Sequence, residues 1–309
     1  LTISEDIGNA DVLARTYSLL GVVARLKGNS GEAITHFQQS LYLYKQEENI
    51  LGQALAQNQV ATAYFDRSQL KEAGIFYEQA RNTFSKTGDI YHRLFVDNNL
   101  GGIALKQGRL AEALDFYQQA LSSSEQIGGS LWVLGALHMN LGHTFIKNND
   151  LKNAYKHLSI SSEYYQKSQS RDFLPELYRL FAEVALHNGY LSEAMLQGKH
   201  SLSLARELNM SGEEGSILRV LSEVAIQSSQ FNLAKDQLQK SLSLLHEAGN
   251  EYEWARTQVV FSRLCIVEHN FMDAINRLEL ATVVFEKLEA KLDLTAIAVL
   301  QKEIEAQKA

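Results

Sequence analysis

Seven stretches of this chain match one another at a fixed spacing. SGEAITHFQQSL (30–41), LKEAGIFYEQAR (70–81), LAEALDFYQQAL (110–121), LKNAYKHLSISS (151–162), LSEAMLQGKHSL (191–202), FNLAKDQLQKSL (231–242) and FMDAINRLELAT (271–282) align on Ala33, Ala73, Ala113, Ala154, Ala194, Ala234 and Ala274. The gaps are 40, 40, 41, 40, 40 and 40 residues. A unit this short cannot bury its own apolar face, so successive units must stack and share one core.

Each unit spells two helices. Twelve residues before the marker alanine stands Gly21, Ala61, Gly101, Gly142, Ala182, Ser222 or Ser262, a slot with little or no side chain where a neighbouring helix can approach. Three residues on comes Ala24, Tyr64, Ala104, Phe145, Ala185, Ala225 or Cys265. In the second helix the alanine is followed at i+4 by Phe37, Tyr77, Tyr117, Leu158, Gly198, Leu238 or Leu278, and at i+7 by Ser40, Ala80, Ala120, Ser161, Ser201, Ser241 or Ala281. Those spacings fall on one helical face. First helices end near Gly28, Gly108 and Gly189, suited to a left-handed cap, whereas Ser68, Asn149, Ser229 and His269 hold that place elsewhere and predict a non-uniform cap. A single Pro, Pro175, stands where a first helix should begin, the helical position it tolerates best. One Pro in 309 residues excludes a loop-rich or all-β chain, and 45% hydrophobic residues exclude disorder.

This pattern resembles the tetratricopeptide repeat (TPR). Leu20-Gly21, Leu100-Gly101 and Leu141-Gly142 match its first helix, and Ala73/Tyr77/Ala80 and Ala113/Tyr117/Ala120 match its second. The usual Trp and closing Pro are missing, and the longer period is similar to that of kinesin light chains, rapsyn-like scaffolds and bacterial multidomain signalling proteins. The resemblance implies an all-α, right-handed superhelical solenoid along the whole chain, 1–309. Repeats fall at about 10–49, 50–89, 90–130, 131–170, 171–210, 211–250 and 251–290. Residues 1–9 align with the close of a truncated repeat, and 291–309 read as a terminal or capping helix with Leu294, Ile297, Leu300 and Ile304 on one face. A fragment of a longer protein is expected, with self-association through the cut ends. Pheromone-receptor phosphatases also use such repeats, but their amino-terminal bundle has no counterpart in these residues.

The chemistry expected is binding, not catalysis. There is no phosphate loop and no His-Glu-x-x-His motif, and the single Cys265 takes a slot that alanine fills in other units, so no enzyme activity, cofactor or metal is expected. A formal charge of −7 without a basic run argues against nucleic acid and membrane surfaces. A cytoplasmic setting follows, with no disulfide framework.

In TPR proteins the first helices line a concave groove that takes partners. Register places Asn58, Thr62, Phe65, Phe95, Asn98, Asn99, Lys106, Met139, Asn140, His143, Arg179, Glu183, Arg219, Glu223 and Arg263 there. An Asn amide both donates and accepts, so Asn58, Asn98, Asn99 and Asn140 suit the backbone of an extended peptide, or else tie repeats together. Phe65, Phe95 and Met139 would take apolar side chains. Arg179–Glu183 and Arg219–Glu223 are i,i+4 pairs in equivalent places. They read as solvated pairs, as an inter-repeat ladder, or as recognition of a mixed-charge segment. The basic residues that chaperone-binding members set around the Asn are absent, so no chaperone-tail clamp is expected. The leading expectation is a protein- or peptide-binding module of a bacterial ATPase, cyclase or kinase. A small-molecule inducer sensor and an architectural or oligomerisation spacer are the alternatives.

Overall fold

A computed structural model describes residues 10–27 and 29–308. Within them lie fifteen α-helices and no strand: α1 (Ala10–Leu26), α2 (Ser30–Gln46), α3 (Ile50–Asp66), α4 (Leu70–Thr87), α5 (Ile90–Lys106), α6 (Leu110–Gln126), α7 (Leu131–Lys147), α8 (Leu151–Ser168), α9 (Leu174–His187), α10 (Leu191–Glu207), α11 (Ser211–Gln227), α12 (Phe231–Glu247), α13 (Glu251–Val267), α14 (Phe271–Lys287) and α15 (Lys291–Lys308). The expected all-α repeat fold is what the residues form. The alignment of residues 1–9 and the cap at Gly28 lie outside the described residues.

The repeat positions acquire physical meaning. All seven marker alanines, and all seven residues at i+7 from them, are fully buried. A Cβ built on Gly101 would stand 2.6 Å from the Tyr117 ring, and one on Gly142 2.7 Å from Leu158, so the compact slot receives the bulky i+4 residue of its own second helix. Where that residue is Gly198, Leu221 of the following repeat fills the space. Ser201 and Ser241 are satisfied at the i+7 slot by the carbonyls of Pro175 and Gly215, at 2.5 and 2.7 Å.

The turns correct the expectation of a non-uniform cap. Ser68, Gly108, Asn149, Gly189, Ser229 and His269 all adopt the left-handed conformation after first helices. Glu48, Gly88, Gly128, Gln169, Asn209, Gly249 and Glu289 do so after second helices. After all of these but Gly128, the next residue donates its N–H to a carbonyl five back, as in Asp150 to Phe145 at 2.9 Å and Asn270 to Cys265 at 2.8 Å, which closes the helix end. The backbone is uniform although the residue type is not. Side chains of Asn49, Asp150, Asn250 and Asn270 accept from the N–H groups that open the next helices. Pro175 occupies the first turn of α9.

The helices gather into two compact units. Unit one comprises the described residues up to Ile103 together with Asp115–Gly128. Its core joins Ala24, Ala33, Phe37, Val60 and Ala63, flanked by Tyr64 and Phe76. Unit two comprises Ala104–Leu114 and the chain from Gly129 onward. There α7, α9, α11, α13 and α15 pack successively side by side as one layer, with α8, α10, α12 and α14 each paired to its first helix outside it. Ile297, Leu300 and Ile304 bury the apolar face of α15, and Leu294 is half-buried.

Unit two also touches itself across the layer. The Lys291 N–H reaches the Gln107 carbonyl at 3.4 Å, and the Gln107 amide reaches Glu289 at 3.5 Å. At Gly108, whose φ is +76°, a Cβ would stand 2.7 Å from Leu292 Cγ and 3.1 Å from its backbone nitrogen, so the approach requires glycine.

Candidate functional site

The inner layer of unit two carries a buried charge network. Arg179 is 4% exposed, Glu183 4% and Arg219 1%. Arg179 donates to Glu213 (2.6 Å), to Glu183 four residues on (3.0 Å) and to Glu176 (3.3 Å). Arg219 repeats the pattern one unit later, donating to Glu253 (3.1 Å) and Glu223 (3.2 Å) and back to Glu183 (2.8 Å). Each arginine therefore meets the carboxylate at i+4 and another at i+34, in the next repeat. Arg256 joins Glu253 at 2.9 Å, and Arg263 joins Glu223 at 3.4 Å. The two sequence pairs are rungs of an inter-repeat ladder, and the solvated reading is overturned, because the polar stripe of each helix turns toward its neighbours.

Electrostatics follow from this crowding. Burial disfavours ionised Glu183, but Arg256, Arg219 and Arg179 outweigh it and hold the carboxyl well below its ordinary range. Glu253 is depressed in the same way by Arg256 and Arg219 against burial. Glu176 moves the other way, raised by burial and by the Glu213 carboxylate. His143, whose Nε2 has no protein partner, is pushed down to about 3 by burial and stays neutral. At the far side Lys147 donates to the Tyr252 hydroxyl (3.1 Å) and approaches Asp293 (3.4 Å), to which Tyr252 donates in turn (3.0 Å). Burial and Asp293 keep Tyr252 a protonated phenol.

The ladder breaks in α13. The register of Arg179 and Arg219 is filled by Val259, and that of Glu183 and Glu223 by Arg263. A cavity of about 260 Å³ opens beside this break, bounded by Lys147, Glu183, Arg219, Glu223, Arg256 and Arg263 with Val259 and Phe285. It offers both signs of charge on an apolar floor.

Other expected groove residues lie elsewhere. In unit one, Asn58 borders a cavity of about 530 Å³ with Arg15, Ser18 and Leu55. Thr62 is engaged, donating to the Asn58 carbonyl (2.9 Å) and bonding the Tyr77 hydroxyl (3.0 Å). Phe65, Asn98 and Asn99 are half-buried, and Phe95 sets its ring edge-on to Tyr91 at 5.2 Å. In unit two, Asn140 is half-buried and Lys106 lies 5.9 Å from the Tyr252 ring. Met139 is a correction: it packs with Leu158, Leu177 and Leu180 in the core and has no free surface to offer a side chain. Cys265 is buried, donates to Asp273 at 3.2 Å, and is pushed up to about 11 by burial, which makes it a thiol and not a nucleophile. The register missed Glu213, Glu253 and Asp293, although they recur at 40-residue spacing and could have been found by it. Among the described residues no group of three or more His, Cys, Asp or Glu could hold a metal, and no helix is long and apolar enough to cross a membrane.

Comparison with known proteins agrees with the repeat. Tetratricopeptide-repeat family models match residues 14–47 and 52–126. A kinesin light chain-related protein of Arabidopsis thaliana is 26% identical over 123 residues, covering 38% of this chain and 19% of that protein. Among solved structures, a Rap protein complexed with competence and sporulation factor superposes with TM-score 0.73 at 16% identity, covering 92% of this chain and 78% of that one. The Rap conjugation regulator of plasmid pLS20, in complex with the Phr* peptide, gives TM-score 0.71 at 16% identity, covering 88% and 73%. With the matched models, the buried alanines and the helical hairpins in hand, residues 14–47 and 52–126 carry tetratricopeptide repeats, and the hairpins that follow keep the same marker spacing.

Proposed function

We propose that this chain is a peptide-binding module of a larger bacterial signalling protein of the cytoplasm, acting by capture and not by catalysis. The observation that carries the reading is the cavity where Val259 and Arg263 interrupt the ladder. A closed ladder satisfies its own charges, whereas this break leaves room for a guest that supplies the missing ones. A short peptide of mixed charge does so, its carboxylate toward Arg263 and a cationic group toward Glu223. In unit two the Asn140 amide is assigned a contact to the peptide backbone. The two Rap structures, with competence and sporulation factor and with Phr* peptide, support the class of partner.

Titration calorimetry with short synthetic peptides of mixed charge tests this. Arg263→Glu removes the cation assigned to the guest's carboxylate and sets a second carboxylate beside Glu223, and is expected to weaken the tightest peptide at least about tenfold while helicity is unchanged. Equal binding by the variant, or no binding by any peptide, overturns the proposal. The small size of the cavity favours a second reading, a small-molecule inducer in the same place. A thermal-shift hit with a metabolite and none with peptides would establish that reading instead.

A further inference from the structure

A second recess lies in unit two, outside the charge network. It has a volume of about 230 Å³ and is walled by Tyr155 of α8, Tyr178 and Phe181 of α9, and Tyr190 at the start of α10. The walls meet at steep angles. Tyr155 and Phe181 are 5.6 Å apart with ring planes at 68°, and Tyr178 stands 6.5 Å from Phe181 at 40°. Tyr178 is braced from behind by His200, edge-on at 4.4 Å. The one charged residue in the lining is Glu193, whose carboxylate accepts from Gln197 at 2.5 Å. No Lys or Arg borders the recess.

Two of these rings stand mostly in solvent. Tyr155 is 59% exposed and Tyr190 66%. The Tyr190 position is held in other repeats by Asn29, Gln69, Arg109, Asp150, Gln230 and Asn270, all polar. Asp150 and Asn270 use it to cap the following helix, whereas Tyr190 makes no such bond. A ring stands where the other repeats hold a polar residue, and it gains little burial.

Aromatic faces carry negative electrostatic potential, and several set around one volume with a carboxylate at the rim attract a cation of low hydration. We propose that this recess binds the quaternary ammonium group of a small solute of choline size. An ordinary ammonium is more strongly hydrated and would lose more water on entry; methylated nitrogen presents an apolar surface with diffuse charge, matching the apolar lining.

Ligand-observed NMR and calorimetry on the whole chain with choline chloride test the assignment, with 3,3-dimethylbutanol as the neutral probe of the same shape. Choline is expected to saturate the site with an affinity about tenfold above that of the alcohol. Tyr155→Ala and Tyr190→Ala should each weaken choline several-fold with the circular dichroism unchanged, and Tyr190→Phe should retain most of the affinity. Equal binding of the neutral alcohol, or choline binding indifferent to both alanine variants, overturns the cation assignment. A trimethyllysine peptide binding far more tightly than choline overturns the small-solute assignment. None of these readouts depends on Arg263, so the result stands apart from the peptide test.

Discussion

Arg219 is the bulkiest fully buried side chain among the described residues, and it is charged. Three carboxylates, Glu183, Glu223 and Glu253, surround it within 3.2 Å. Removing it leaves those carboxylates crowded together without their central cation. Arg219→Met is therefore expected to lower the unfolding free energy by about 3–5 kcal/mol, read from urea denaturation. Adding Glu183→Leu should recover part of the loss, because one uncompensated carboxylate disappears with it. The pair Arg219–Glu223 is visible in the sequence, but its burial is not. Whether an i,i+4 pair meets water depends on Glu183 and Glu253, 36 residues before and 34 after, and a single helix carries no information about neighbours that distant. Met139 failed for the converse reason: the groove register and the core register lie one residue apart on α7, and only packing against Leu158 and Leu180 decides between them.

The helical hairpin is the element most completely written in the sequence. Its compact slot, marker alanine and i+7 small residue contact one another within about forty residues, so the pattern and the packing share one length scale. The turns were legible in place but not in conformation. Eight non-glycine residues hold a left-handed backbone there, Gln169 with φ of 56° among them. A side chain at such a φ is strained, and glycine relieves that strain at a smaller entropic cost. Gln169→Gly is expected to raise stability by about 0.5–1 kcal/mol in the same urea experiment, with no change in helicity. The types at these places vary because the hydrogen bond from the following residue, such as Ser170 N–H to Tyr165 at 3.1 Å, is made by backbone alone.

At the scale of the whole molecule, the chain should be sensitive to acid. His143 is depressed to about 3 and His138 to about 4, both by burial, from an ordinary value of 6.5. His138 Nδ1 lies 3.0 Å from His157 Nδ1, within hydrogen-bond reach of a partner nineteen residues away that no local spacing discloses. A histidine whose folded value is lowered stabilises the fold fully above 6.5 and loses that contribution as pH falls toward its folded value. Glu183 and Glu253, also lowered, contribute above the ordinary carboxylate range and lose it below. Glu176, raised, acts in the opposite sense: its contribution is complete in acid and lost as pH rises through its folded value. His157, Asp89, Asp150 and Glu214 are lowered as well, and Asp97 is raised with Glu176, so eight groups against two make the melting temperature fall as pH drops below 6.5. His143→Phe should flatten the fall between 6.5 and 4, measured by differential scanning fluorimetry.

Gln107 and Gly108 meet Lys291 and Leu292, and nearby Lys147 pairs with Asp293, so the start of α15 is latched down. Lys147 and Asp293 also border the cavity beside Arg263. Loosening that pair by Asp293→Ala would then shorten a guest's residence more than it changes the strength of grip, and exchange rather than equilibrium would become the controlled quantity.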